Sequence, residues 1–321
     1  MSDTITVTTG TTGVAGNIVS DLQTYFAAKL LEVAELYLVL DQFADKVPIP
    51  SNSSKTIRFN RIEKLSVSAA PSQLTEGVAP DADGLTMNQF EATAEQYGRL
   101  VRISDLSELT AKHDIVAKAI YVLGLNAAEI YDQLVFNVLD AATSVYRPAG
   151  AATDLALKGD SYITYNDAIA VNALMLDNGA KPLKNGLYVM VICPQVKATI
   201  QKDPDWKASN QFKAPEKIWR GEVGELAGFS WVVSNAPGFA ATTTTASGSA
   251  NKVYSGFAIG QFAYQISDLQ NLRVYVVGPG GHSDPLQQSR KIGFKFAFKS
   301  LISNQNWIYR LRSAGLNSVT N

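Results

Sequence analysis

The sequence predicts an α+β chain, and three features carry that prediction. A helical apolar stripe runs from Val116 to Ala141, a β-patterned excursion occupies 55–103, and strand and helix signals alternate over 163–260. With 321 residues, 46% of them hydrophobic and 18% charged, the chain can bury a large core and is not generally disordered. Its net charge of −1 gives the free chain no overall attraction to nucleic acid or anionic membrane. Low charge leaves neutral surface for partners.

Residues 2–17 are rich in threonine, serine and glycine and read as an extended arm. From Ile18 to Leu40 the apolar residues fall on one helical stripe, and Pro48 and Pro50 follow its end. Such a helix has little local sequence to pack on, so docking elsewhere is expected, including on a neighbouring copy. Lys55–Glu63 alternates with period two, Ile57 and Phe59 on one face and Arg58 and Asn60 on the other, as a strand with one buried face does. Turn formers crowd 69–84, and Pro71, Glu76, Gly77, Asp81 and Asp83 form the candidate inter-subunit loop tip. Strand character resumes over Leu85–Ile103. An isolated two-stranded ribbon is marginal in water, so this one is expected to lie on another subunit.

The long helix is the spine of the chain. Val116, Ile120, Leu123, Ala127, Ile130, Leu134, Val138 and Ala141 recur at steps of three or four, while Lys118, Glu129, Asp132, Asn137 and Asp140 fall on the other sides. Asp105 and Glu108 stand in the capping-box relation for a short leading helix, and Asp114 suits the start of the long one. Gly124 marks a place for a bend or a close contact. After a linker over 146–160, Thr164 with Asp167 opens a helix that Asn178 and Gly179 close. Strands are predicted over 187–193, 229–234, 253–259, 272–277 and 292–302, a helix over 194–202, and an exposed loop over 242–249. The last strand alternates Phe294, Phe296 and Phe298 with Lys295, Ala297 and Lys299. The division that follows is 1–54 arm and helix, 55–103 excursion, 104–162 spine region, 163–260 α/β region and 261–321 returning strands.

Catalytic and metal chemistry find little support. His113 and His282 are the only histidines, and a single cysteine, Cys193, sits in an apolar run, so a zinc site would need unusual carboxylate help and no internal disulfide can form. His282, Ser283 and Asp284 are adjacent, hence point apart, and read as a surface turn. Gly10, Gly13 and Gly16 lack a phosphate-binding lysine, and Gly221, Gly224 and Gly228 fit turns better than a nucleotide cradle. Asp203 and Asp205 flank Pro204 as in a turn or cap, and are the only carboxylate pair on which an α/β enzyme over 163–260 could be built. No cofactor is called for. Lys291, Lys295 and Lys299 share one strand face and are candidate inner-surface basic residues, against the plainer reading of a solvated sheet side. No apolar run approaches the length of a membrane span and no secretory signal is present, so cytoplasmic synthesis without membrane contact is expected.

Three stretches carry a resemblance. Gly98–Leu106 with Glu108, Leu109 and Thr110, then Gly221–Phe229, then Asp284–Lys295, resemble the excursion–spine join, axial-domain motif and closing strand of tailed-bacteriophage coat proteins of a podovirus-type branch. The resemblance implies the Hong Kong phage (Johnson) capsid fold: N-terminal arm, extended loop over 55–103, peripheral domain with the spine helix, and axial domain over 163–260. It further implies hexamers and pentamers tiling an icosahedral shell around double-stranded DNA, assembled in the host bacterial cytoplasm, with portal and possible decoration proteins as partners. Because the arm follows Met1 closely, a separate scaffolding protein is expected. An encapsulin-like shell holding cargo enzymes is the alternative within the same fold.

Overall fold

The computed structural model describes residues 29–30, 38–48, 55–65, 76–77, 84–110, 114–183, 186–207, 224–235, 240–244, 250–277, 286 and 288–319. The predicted arm, most of the helix over 18–40, His113, and the turn at His282 lie outside these residues. The chain divides into two compact units, one formed by 1–42, 96–135 and 270–298, the other by 43–95, 136–269 and 299–321.

In the first unit, strand β4 (Glu95–Ser104) leads into helix α1 (Asp105–Thr110) and then the spine α2 (Ile115–Leu139), which at 1.5 Å per residue is about 38 Å long. Both starts are capped, with one change from expectation. Ser104, not Asp105, caps α1, its hydroxyl 3.3 Å from the Ser107 N–H, while Glu108 is drawn to Arg290 at 3.1 Å. Asp114 accepts the Ala117 N–H at 3.1 Å, as its position predicts. The helix runs unbroken through Gly124. Strands β11 (Tyr264–Val277) and β12 (Ser289–Ile302) complete the sheet, in the order β11-β12-β4. Phe294, Phe296 and Phe298 are buried, Tyr97 packs its ring 5.8 Å from Phe296, and Tyr131 of the spine stacks on Phe298 at 4.2 Å. Lys295 and Lys299 beside these phenylalanines are half-buried and Ala297 is fully buried, so the second face is less solvated than simple alternation implies.

The spine stripe holds at Val116, Ile120, Leu123 and Ala127 and then rotates. Val135, Phe136, Leu139 and Ala142 are the buried residues further on, and Ala141 is exposed. Straight 3.6-residue geometry produces this drift whenever the apolar repeat is tighter.

The second unit is built on a seven-stranded mixed sheet. Its path is β5 (Val145–Tyr146), β13 (Ile308–Val319), β10 (Ala250–Ile259), β6 (Tyr188–Ile192), β8 (Phe229–Val233) and β7 (Glu225–Leu226), with β9 (Ala240–Thr244) paired to the start of β10. All of β6 is buried, as an apolar run flanked by strands on both edges must be. Helix α3 (Tyr165–Asp177) carries a complete capping box between Thr164 and Asp167, and Gly179 follows its Asn178 cap at φ 66°. Helix α4 (Pro194–Lys202) begins on Pro194, as predicted.

Three strand assignments differ from expectation. Thr242–Thr244, predicted as loop, belongs to β9, because threonine is β-branched and suits a polar sheet edge. Residues 95–103, read as the second limb of the excursion, pair instead with β12. The excursion's own ribbon is β2 (Thr56–Ile62) against β3 (Met87–Thr93), in register from Thr56–Thr93 to Ile62–Met87. Strand β13 carried too little alternation to be predicted, yet it pairs with β10 from Val253–Ala314 to Ile259–Ile308. The two-residue strand β1 (Asp45–Lys46) joins β11 in parallel, with the Val47 N–H on the Ile266 carbonyl at 3.0 Å.

Candidate assembly surfaces

Ionisable groups in this chain hold backbone and one another. Asp203, half of the only carboxylate pair the sequence offered for catalysis, accepts the Tyr165 N–H at 2.8 Å and the Asp205 N–H at 3.1 Å, which makes it a junction between two helices' ends. Cys193 is buried and burial pushes its thiol pKa up, the opposite of what a nucleophile needs. No cluster of three metal-ligating side chains exists among the described residues. Gly224 and Gly228 have φ of 71° and 82°, and a Cβ on Gly228 would lie 2.5 Å from Asn172 Nδ2, so these glycines serve a tight hairpin, as predicted. Among the described residues no helix is long and apolar enough to cross a membrane.

Two buried polar clusters have structural roles that sequence spacing concealed. Asp132, assigned to the polar side of the spine, is only 2% exposed. Its carboxylate accepts the Val39 N–H at 3.1 Å and the Leu40 N–H at 3.4 Å, opening a 3-10 turn over 40–43, while the Tyr131 hydroxyl reaches Asp41 at 3.1 Å. Burial raises the Asp132 pKa from 3.8 to about 6, with the two N–H groups opposing the rise and Asp41 adding to it. In the second unit Asp140 receives Arg312 Nη2 on both oxygens, at 2.9 and 2.8 Å, Ser255 at 3.2 Å, and Arg310 on its backbone carbonyl. Asp154 holds Arg147 at 2.6 Å. Desolvation lowers the Arg310 pKa, a cost these carboxylates offset.

The exposed surface includes several large apolar side chains. On the β2–β3 ribbon Ile62 and Met87 are exposed, as are Leu65 and Leu85 just beyond. The ribbon is stiffened by Arg58–Glu91 at 2.6 Å and by Arg61, which pairs with Glu63 and sits 5.6 Å over the Phe90 ring. At the loop tip Glu76 and Gly77 lie in an exposed turn, Gly77 at φ 81°; Pro71, Asp81 and Asp83 fall outside the described residues. In the first unit a groove of about 680 Å³ opens between the end of β4 and the spine, floored by Val101, Ile103, Ile115, Ala119 and Val122. Leu106 and Leu109 of α1 are exposed, the latter by 82%. Each unit by itself thus carries exposed large apolar side chains, of the kind that mark contact surfaces when they cluster. Of the three predicted basic residues, Lys299 faces Glu95 at 3.4 Å, and Lys291 and Lys295 stay half-buried on the sheet.

The comparisons agree with this reading. The chain is similar in structure to the capsid of the cyanophage P-SCSP1u (TM-score 0.66, 17% identity, 87% of this chain and 88% of that one). It is also similar to the capsid of Ralstonia phage GP4 (0.65, 13%, 87% and 89%) and to a virus-like particle from Pyrococcus furiosus (0.53, 11%, 91% and 99%). No curated protein matches in sequence. The fold is therefore the α+β capsid fold that the three sequence stretches imply. A family model described as phage capsid protein matches residues 88–288, more than half of the chain, from β3 through the spine and mixed sheet to the threshold of β12. The carboxylates here tie down chain instead of facing a substrate, and the apolar surface is left for copies of itself, because this chain belongs to the phage capsid protein family and is a structural, non-catalytic subunit of a virion shell.

Proposed function

We propose that the chain is the major, repeating subunit of a tailed-phage head, closing an icosahedral shell as hexamers and pentamers around double-stranded DNA. The observation that carries this is the exposed apolar ribbon end of Ile62, Leu65, Leu85 and Met87, a surface that a neighbouring subunit in a closed lattice would cover. Identical subunits close a shell when head-to-tail contacts curve consistently, and a rigid spine with a two-stranded ribbon supplies fixed shape with adjustable overlap. Many modest contacts add through multivalency, so no single interface has to be strong. On this reading the five sequence blocks, 1–54, 55–103, 104–162, 163–260 and 261–321, act as arm, extended loop, peripheral domain, axial domain and returning strands. Packaged DNA is screened by basic side chains without base readout. A separate scaffolding protein, a portal and decoration proteins are the partners, and assembly takes place in the host bacterial cytoplasm.

The test is to express the chain with and without its scaffolding partner and image the products by electron cryo-microscopy. Closed particles built of six- and five-fold clusters are expected. Small soluble monomers under every condition would overturn the proposal.

A further inference from the structure

Among the described residues Asp132 is the one buried acid. Its two oxygens hold chain from far away in the sequence, one accepting the Val39 N–H at 3.1 Å and the other the Leu40 N–H at 3.4 Å. Leu40 is itself fully buried, so residues 38–43 are seated on the spine by an apolar side chain and these two hydrogen bonds. The charge that acts on Asp132 is that of Asp41, in the same turn, which receives the Tyr131 hydroxyl at 3.1 Å. The other neighbours are neutral or in water. Strand β12 meets this turn of the spine with Phe296 and Phe298, both against the Tyr131 ring, while Glu129, one helical turn back, and Lys29 are exposed. A dry site beside a second carboxylate is a poor place for a negative charge, and two peptide N–H donors offset only part of the lost hydration.

Residues 1–37 join the rest of the chain through this seated segment. We propose that Asp132 is a proton-operated latch for residues 38–43, closed when the acid is protonated and loosened when it ionises. The direction follows from the two states of the segment. With 38–43 lifted, water reaches the acid and its pKa is the ordinary 3.8; with the segment seated, burial holds it at about 6. Seating therefore favours the protonated acid, whose carbonyl oxygen still accepts an N–H. Below pH 3.8 both states are protonated and seating is strongest. From there to about pH 6 the seating constant falls tenfold for each pH unit, and above that it stays about a hundredfold below its acid value. At neutral pH the root of residues 1–37 is thus held mainly by Leu40, and acid tightens it. The inference concerns the unassembled chain and does not depend on the shell reading.

The experiment is hydrogen–deuterium exchange of the unassembled full chain, read by mass spectrometry on a peptide covering 38–43 and on one covering the buried strand β6, from about pH 4.5 to 7, with the intrinsic pH dependence of amide exchange divided out. In wild type, residues 38–43 are expected to open locally, with less protection than β6 at every pH, and to lose at least about tenfold in protection across that range. Asp132→Asn mimics the protonated acid at every pH, so its protection should stay level and exceed that of wild type at pH 7. Asp41→Asn removes the neighbouring charge and should shrink the fall without abolishing it. Level protection in wild type overturns the inference, as does an equal fall in D132N. A D132N segment less protected than wild type at pH 7 overturns it too, because the ionised carboxylate would then be what holds the segment. So does protection at 38–43 equal to that of β6, since the segment would then open only when the whole chain unfolds.

Discussion

Replacing Asp132 by asparagine should stabilise this chain at neutral pH. The carboxylate is 2% exposed and its pKa is raised from 3.8 to about 6, with burial the main cause. Below about pH 3.8 the group is neutral in both folded and unfolded chains and costs nothing. Between there and 6 the folded chain keeps a proton that the unfolded chain has released, so stability falls as pH rises. Above about pH 6 the full penalty is present, about 3 kcal/mol from the difference in pKa. Asparagine mimics the neutral acid and keeps one oxygen for the Val39 or Leu40 N–H. An unsatisfied N–H on the new amide returns about 1 kcal/mol and leaves a net gain of about 2 kcal/mol. In a chain of this size that is a rise in Tm of about 4 °C at pH 7.5. The assay is thermal unfolding of the unassembled chain by circular dichroism from pH 4 to 8, taking the difference between wild type and D132N at each pH so that other titrating groups cancel. The gain should shrink to nothing or reverse near pH 4. D132A, which leaves both N–H groups without an acceptor, should lower Tm at every pH. A D132N chain as unstable as D132A at pH 7.5, or a difference independent of pH, would refute the reasoning.

Asp140→Ala should cost about 3 to 5 kcal/mol in denaturant unfolding, because it leaves Arg310 and Arg312 with Asp154 as the remaining partner. Gly98→Ala places a Cβ 2.5 Å from the Phe294 carbonyl oxygen, which backbone cannot easily yield; a loss of about 2 kcal/mol and faster amide exchange in β4 and β12 are expected. At the β7–β8 turn Ala227 has φ 53°, so Ala227→Gly should stabilise by about 1 kcal/mol. Gly228→Ala, at φ 82° against Asn172, should destabilise, and the opposite signs of two adjacent substitutions are read by the same melting experiment.

Much of this fold was written in local chemistry. The α3 capping box at Thr164 and Asp167, the Pro194 start of α4, the Asp114 cap and the first half of the spine stripe each depend on residues within four positions of one another. Periodicity and capping operate at that range, so they could be read directly. Catalysis could be set aside for the same reason, since no nucleophile, base or metal set stood at a working spacing. What tertiary structure alone decided is partnership between distant strands and the fate of charges in the interior. β13 joins β10 across some fifty residues, and β4 leaves the ribbon for β12, because pairing rewards burial on both edges whatever the order in the chain. Asp132 looked like a solvated helix residue and is a buried cap, since its partners' N–H groups lie ninety-two and ninety-three residues away. Lys291, Lys295 and Lys299 could be placed on one strand face from their spacing, but not given partners. Only the tertiary structure set Lys299 opposite Glu95 at 3.4 Å, because the two lie more than two hundred residues apart and no local pattern links them.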